Sequence, residues 1–290
     1  MDIKVLFDEP MSKHTTFKIG GAVRAMYFPE TASDMVELCK SLYEQGITPY
    51  IIGNGSNLLV SDAGPDIVII NTSKLRNIVL TDADNNEITA DSGVLLSELA
   101  VFAYKHELTG LEFAHGIPGT LGGAVVMNAG AYNGEMKNVV ISTKVYSFEN
   151  GEYELKGDEH NFSYRNSAFS SRSDVILSSV IRLQKGDKDT TRQKMDELAT
   201  RRRESQPLDK PSAGSTFKRP KDGYAAALIE QAGLKGFSIG GAEVSEKHAG
   251  FVVNTGNATF NDVISVIEHV QETVMKQFGV MLEPEIKILT

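Results

Sequence analysis

Gly116-Ile117-Pro118-Gly119-Thr120-Leu121-Gly122-Gly123-Ala124 is the stretch on which the reading of this chain turns. Four glycines and one proline fall within the eight residues 116–123, a stiff turn whose backbone can approach a ligand closely. Thr120, or the amides that follow it, can hold a pyrophosphate at a helix N-terminus. The continuation, Asn128-Ala129-Gly130-Ala131-Tyr132, keeps small residues close by, as a flat ring system requires. Upstream, Ile51-Ile52-Gly53-Asn54-Gly55-Ser56-Asn57-Leu58 follows an apolar run directly, and its amides can converge on an anion as a phosphate nest does. Each loop alone reads more readily as a tight connection. Two of them about 65 residues apart, both after apolar runs, bring a grip on a phosphate-bearing cofactor level with that reading. The candidates are Ile52, Gly53, Asn54, Gly55, Ser56 and Asn57 in one loop. In the other they are Gly116, Pro118, Gly119, Thr120, Gly122 and Gly123, with Ala131 beyond.

The first loop is not a dinucleotide-fold fingerprint, because Leu58 stands where G-x-G-x-x-G needs its third glycine. A G-x-x-x-x-G-K-[ST] loop is absent, which excludes a Walker-type nucleotidase. Around the loops, short strands alternate with helices. Strands are predicted at Ala22 to Phe28, Pro49 to Ile52, Ile67 to Ile70, Glu87 to Asp91, Asn138 to Phe148 and Asp174 to Leu183. Helices are predicted at Thr31 to Gln45, stopped by Gly46, and at Leu95 to His106. Asp187 to Ser205 is a charged helix ending at Gln206-Pro207, and the domain boundary is placed there. Beyond it, Tyr224 to Ala232 reads as a helix, Gly250 to Asn254 as a strand and Thr259 to Phe278 as a long amphipathic helix. The inward face of that last helix carries Val263, Val266, Ile267, Val270, Val274 and Phe278. Glu285 to Leu289 reads as a closing strand. The class is α+β. The expected division is a first region 1–206, with subdomains of about 1–70 and 71–206 and with 283–290 returning to it, and a second region 207–282.

The chain has 290 residues, 41% hydrophobic and 23% charged, with a net charge of -9. That charge argues against a nucleic-acid surface. An acidic protein that binds an anionic ligand must gather cations locally, as happens at Arg201-Arg202-Arg203 and Lys218-Arg219. The single cysteine, Cys39, lies on the apolar stripe of a predicted helix and reads as a buried structural thiol in a reducing compartment. Cys/His metal-ligand spacings are absent, and no metal is expected. No secretory apolar core and no run of about 18 apolar residues occurs, so a cytoplasmic chain without a membrane partner is expected. With no long apolar stripe left over, a monomer is expected.

Three further segments each hold one polar group suited to chemistry. They are Tyr164-Arg165-Asn166-Ser167, Ala213-Gly214-Ser215-Thr216-Phe217-Lys218 and Leu282-Glu283-Pro284-Glu285. A guanidinium, a hydroxyl and a carboxylate after a cofactor platform suggest a redox enzyme. Glu283 and Glu285 fall on one face of a strand by alternation, so spacing alone does not select between them.

Together with the two glycine loops, these segments resemble the UDP-N-acetylenolpyruvoylglucosamine reductase family, from His14-Thr15-Thr16-Phe17 to Leu282-Glu283-Pro284-Glu285, nearly the whole chain. The resemblance implies an FAD-binding fold of the vanillyl-alcohol-oxidase type in two subdomains, followed by a smaller α+β substrate-binding domain. It also implies non-covalent FAD, NADPH as electron donor, and the enolpyruvyl ether of a UDP-sugar as acceptor. The product would be UDP-N-acetylmuramate for peptidoglycan, a step on which cell-wall biogenesis, cell shape and division depend. Only a short stretch separates Arg165 from the next strand, as in the family's second type, which lacks an inserted loop with a substrate-facing tyrosine.

The implied roles follow the reaction. Hydride arriving at the methylene carbon pushes charge toward the carboxylate, which needs cationic stabilisation and a proton. Arg165 suits the first need and Ser215 the second, with Lys218 and loop amides lowering the effective pKa of the hydroxyl. The family's motif selects Glu285 over Glu283 as the assisting carboxylate. Tyr164, Lys218, Arg219, Lys235 and Arg203 are the candidate substrate contacts. Of Arg201, Arg202 and Arg203, one or two are expected to meet phosphate. His248 reads as structural or peripheral. Two rivals stand beside this reading. One is a flavin oxidase of the same fold acting on a sugar lactone or alcohol, with His115 as a conceivable tether. The other is a non-catalytic nucleotide-sugar or flavin-binding module.

Overall fold

The computed structural model describes residues 3–290. By contact the chain forms two compact units. The first comprises the chain up to Leu6, Ala25–Asn54 and Ile67–Arg202; the second comprises Phe7–Arg24, Gly55–Asp66 and Arg203–Thr290. The sequence-based division changes region at 206 and at 282, whereas these units also exchange segments at 7–24 and 55–66. One of the crossings falls inside the first glycine loop, between Asn54 and Gly55.

Two larger sheets and two short two-stranded ribbons build the first unit among the described residues. In one of the larger sheets, Ala25–Tyr27 pairs in parallel with Val68–Ile70, and Tyr50–Ile52 pairs in parallel with Ile69–Asn71. Helix α1 (Ala32–Glu44) covers this sheet. It starts where the sequence indicates, at a reciprocal capping box in which Thr31 and Asp34 each bond the other's backbone N–H at 3.1 Å. It buries Met35, Val36, Leu38, Cys39 and Leu42, and Gly46 follows in the left-handed region at φ 71°. The other sheet is antiparallel, in the order 151–156, 140–147, 175–182, 87–91, 78–82. Helices α2 (Leu96–Lys105) and α3 (Leu121–Val126) pack into its core through Leu96, Leu99, Ala103, Leu121 and Val125. α4 (Lys188–Ser205) is charged along most of its surface and buries only Thr191, Met195 and Leu198.

The second unit is built around α5 (Ala225–Gln231), α6 (Phe260–Phe278) and a small sheet of 238–239, 242–244 and 252–254. α6 opens on a Thr259/Asp262 capping box and ends at Gly279, φ 69°. Its buried face is Val263, Val266, Ile267, Val270 and Val274. Each such side chain contributes about 1.5–3 kcal/mol on leaving water. Phe278, expected on that face, is 37% exposed, because the helix ends there and the chain turns away at the left-handed glycine. The closing strand is Lys287–Leu289, and it pairs in parallel with Leu58–Val60, just past the first glycine loop. None of the helices among the described residues is long and apolar enough to cross a membrane.

Candidate active site

In the first unit the two glycine loops interlock. Asn54 Nδ2 donates to the Pro118 carbonyl at 2.6 Å. Gly53 lies against Thr120 so closely that a Cβ on it would sit 2.0 Å from Thr120 Oγ1. Thr120 is buried and stands at the N-cap of α3. Of the amides that follow it, Leu121 N–H donates to Val94 O and Gly122 N–H to Ser92 O, both at 2.8 Å. Those two are therefore committed to the fold. Of the first-turn amides after Thr120, the one left over is that of Gly123. A Cβ on Gly122 would lie 2.9 Å from Ser92 Cβ, so that glycine serves packing, whereas Gly123 has only the Thr120 hydroxyl nearby, at 3.7 Å.

The Tyr164-Arg165-Asn166-Ser167 segment is sewn to the continuation of this loop. Ser163 and Asn166 exchange backbone hydrogen bonds at 3.0 and 3.2 Å, which closes a tight turn with Tyr164 and Arg165 at its tip. Arg165 sits at φ 52°, uncommon for a residue with a long side chain. Asn128 Nδ2 donates to Ser163 O at 3.0 Å, Ser167 Oγ donates to Val126 O at 2.8 Å, and Arg165 Nη2 reaches the Gly130 carbonyl at 3.3 Å. The guanidinium also lies over the Tyr164 ring, 5.2 Å from its centroid. Gly130–Ala131 pairs with Gly134–Glu135 across a two-residue turn, Tyr132 and Asn133, at φ 51° and 67°.

In the second unit the hydroxyl and the carboxylate segments run side by side. Lys218 N–H donates to Glu283 O, and Glu285 N–H donates to Thr216 O, both at 2.8 Å, flanking a bridge between Phe217 and Pro284. Thr216 is pinned again from the other direction: its N–H donates to Gly250 O at 2.8 Å, and its Oγ1 accepts from Val252 N–H at 2.9 Å. Gly214 turns the chain into this ladder at φ 79°, leaving half-buried Ser215 between a hinge and a fixed residue. Asn57, the end of the first glycine loop, donates from Nδ2 to the Glu285 carbonyl at 3.2 Å and accepts from Lys287 N–H at 2.8 Å. Its side chain is thus spent on holding the carboxylate segment.

A family model described as UDP-N-acetylenolpyruvoylglucosamine reductase, C-terminal domain, matches residues 206–289, and one described as FAD binding domain matches residues 23–155. The chain is 50% identical to the UDP-N-acetylenolpyruvoylglucosamine reductase of Caldanaerobacter subterraneus subsp. tengcongensis, over 99% of this chain and 94% of that one. It is 46% identical to the protein of the same name from Clostridioides difficile, over 99% and 93%. This chain belongs to the UDP-N-acetylenolpyruvoylglucosamine reductase family. The crystal structure of the family member from Thermus caldophilus superimposes with a TM-score of 0.84, at 30% identity and with full coverage of both chains. Cholesterol oxidase from Brevibacterium sterolicum shares the fold over 63% of this chain and 38% of that one, at a TM-score of 0.51 and 15% identity. The α+β class and the vanillyl-alcohol-oxidase type of FAD-binding fold hold.

The family's remaining candidate positions find partners of their own. Lys218 Nζ pairs with the Glu283 carboxylate, so its charge is engaged there. That pairing also separates the two glutamates: Glu283 is 70% exposed and ion-paired, whereas Glu285 is half-buried. Lys235 pairs with Glu230 at 3.0 Å, and the Arg219 guanidinium lies 4.4 Å from the centroid of the exposed Tyr224 ring. His248 Nδ1 accepts from Gly250 N–H at 3.1 Å, and burial pulls its pKa down, so the ring is a neutral brace for the turn that holds Thr216. Among the three arginines, Arg201 pairs with Glu197 at 3.5 Å, and exposed Arg203 accepts from Lys247 Nζ through its carbonyl at 2.5 Å. Arg202 goes elsewhere: a Cβ on Gly116 would sit 2.9 Å from its Cδ. Helical periodicity separates neighbouring residues by about 100°, but no local signal in the sequence says which of three consecutive arginines faces the loop. Among the described residues, no group of three or more His, Cys, Asp or Glu could hold a metal ion.

Proposed function

We propose that the protein reduces the enolpyruvyl group of a UDP-N-acetylglucosamine enolpyruvyl ether to the lactyl ether, giving UDP-N-acetylmuramate, with electrons from NADPH. FAD, held non-covalently, would supply the hydride chemistry between NADPH and the methylene carbon of the acceptor. The fit of the loops to such a group rests on two stiff glycine-rich turns tied together by Asn54, and on Gly123, where a Cβ would meet only the Thr120 hydroxyl, at 3.7 Å. Residues Ile52 to Asn57, Gly116, Pro118, Gly119, Thr120, Gly122, Gly123 and Ala131 would line it.

This chain's residues then hold charge and move a proton. Arg165 offers an always-protonated fork to the substrate carboxylate as negative charge builds there. Its left-handed backbone and its bond to Gly130 O favour one presentation of that fork, which supports a functional assignment over a surface one. Ser215 donates its hydroxyl proton to the carbon next to the carboxylate, and Glu285 assists by relaying that proton or holding the geometry. Lys235 meets the diphosphate by exchanging its surface carboxylate Glu230, a pair worth only about 0–1 kcal/mol. Tyr164, Lys218, Arg219 and Arg203 complete the substrate contacts in this reading. Production of a nucleotide-sugar precursor, an acidic chain and one buried thiol fit a cytoplasmic enzyme acting as a monomer on small molecules.

The observation that carries the proposal is the ladder between 216–218 and 283–285, which sets a braced hydroxyl turn beside a half-buried carboxylate. Neither a sugar oxidase nor a binding module has a task for that arrangement. Stopped-flow absorbance of Ser215→Ala tests it. Flavin reduction by NADPH should keep its rate, and reoxidation by the enolpyruvyl substrate should fall by about 10²–10⁴, the usual worth of a placed general acid. Normal reoxidation in this variant would remove Ser215 as the proton donor.

A further inference from the structure

We infer that Arg202 is the counter-charge to the pyrophosphate of bound FAD, an inference that rests on the flavin reading of the glycine loops. Arg202 lies near the end of α4, and its side chain crosses Gly116, the first residue of the second loop, so closely that a Cβ there would sit 2.9 Å from Arg202 Cδ. Arg202 is half-buried, and the loss of water around its guanidinium lowers its pKa. Taking such a charge out of water is costly unless an anion meets it. The chain carries 38 acidic residues, yet no carboxylate among the described residues pairs with Arg202, and its side chain makes no hydrogen bond there. Its neighbours on the same helix are supplied: Arg192 bonds Asp196 at 2.8 Å and Arg201 meets Glu197 at 3.5 Å.

A cation without an internal partner, held against a loop of bare backbone, is built for an external anion. A planar guanidinium suits phosphate oxygens, which it can take in pairs. The neighbouring hairpin tip strengthens the case. Tyr132 is held at φ 51°, a conformation rare for an aromatic residue. Among the phosphate-bearing ligands of the reaction, FAD is the one whose binding loop Gly116 opens, so its pyrophosphate is the assignment.

The test titrates flavin-stripped full-length protein with FAD and with riboflavin, which has no phosphate, following flavin fluorescence. Arg202→Met keeps the length and removes the charge. It should weaken FAD binding by about 10- to 100-fold, the loss expected for a half-buried charge-assisted contact, and flatten its salt dependence. Riboflavin binding should stay within about twofold of the wild type. Arg202→Lys, which keeps a point charge, should lose less. An FAD Kd within about threefold of the wild type in the methionine variant, or an equal loss for riboflavin, would overturn the inference while leaving the flavin reading intact. Wild-type protein that takes up no FAD would sink both.

Discussion

Gly53→Ala tests whether the two glycine loops act as one unit. The added Cβ would lie 2.0 Å from Thr120 Oγ1, 2.9 Å from its Cγ2 and 3.0 Å from its Cβ. Rotating the threonine about χ1 cannot clear all three, since its own Cβ is among the obstacles. Nor can the threonine retreat easily: it is buried, and the two residues after it are bonded to Val94 and Ser92. The loops must therefore move apart. Overpacking a tight site costs about 1–3 kcal/mol, and a contact this close belongs in the upper half of that range. Replacing glycine by alanine stiffens the unfolded chain and returns about 0.4–1 kcal/mol, because Gly53 does not occupy a left-handed conformation. The net loss is about 1–2 kcal/mol. Urea unfolding of the flavin-free protein reads it as a fall in midpoint at unchanged m. FAD affinity should fall as well, because the Asn54 to Pro118 bond that closes the loops is pulled open. Adding Thr120→Ala removes Oγ1 and Cγ2 and should recover part of both losses, a coupling of about 1 kcal/mol between residues in contact. If Gly53→Ala alone leaves the urea midpoint and the FAD Kd at their wild-type values, the loops are not packed as described.

Two further outcomes follow from titrating groups. Burial pushes the Cys39 thiol up to about 12, so native protein should be inert to an aromatic disulfide reagent at pH 8 and release one equivalent only in denaturant; prompt reaction of the native form would contradict the packing of α1. The N–H groups of Thr259 and Gly241 hold the Asp262 carboxyl below the ordinary carboxylate range. A depressed folded pKa gives stability that is present above the unfolded value and lost as pH falls through the folded one. The stability gap between wild type and Asp262→Asn should therefore narrow below about pH 4, and a gap that widens on acidification would refute the assignment.

Long amphipathic elements were legible from sequence because the period and the caps agree. The strand expected over 22–28 is Ala22–Phe28, and the helix expected over 259–278 is Phe260–Phe278, with Thr259 as its cap. Elements without a clean period were not. Strands 4–10, 78–82 and 151–156 carry polar residues on exposed faces and are set by pairing with distant neighbours. Helix α3 is six residues long with two glycines, so it reads as loop. The interleaving of the two units has the same origin. Leu58–Val60 belongs with Lys287–Leu289 because their edges pair, and nothing local in Leu-Leu-Val says so. At the site, the motifs were readable as chemistry, but partners were not. That Lys218 faces Glu283 depends on a register between segments 65 residues apart.

That register bears on how Ser215 could act as an acid. Lys218 was expected to polarise it, yet the ammonium is engaged by Glu283, which is largely exposed, and in water-rich surroundings such a pair projects little field. What the ladder does supply is position. Thr216, the next residue, is fixed through its N–H, its carbonyl and its hydroxyl, so the freedom left to Ser215 is mainly its own side-chain torsion. The carboxylate segment is held by the same kind of contact: Asn57 grips it through both its side chain and its carbonyl. Orientation paid for in advance by backbone hydrogen bonds is worth several kcal/mol in a proton transfer, more than a screened lysine at the surface can offer. The first glycine loop therefore has two jobs at its two ends. Asn54 locks the cofactor loops together, and Asn57 steadies the residue proposed to work with the proton donor.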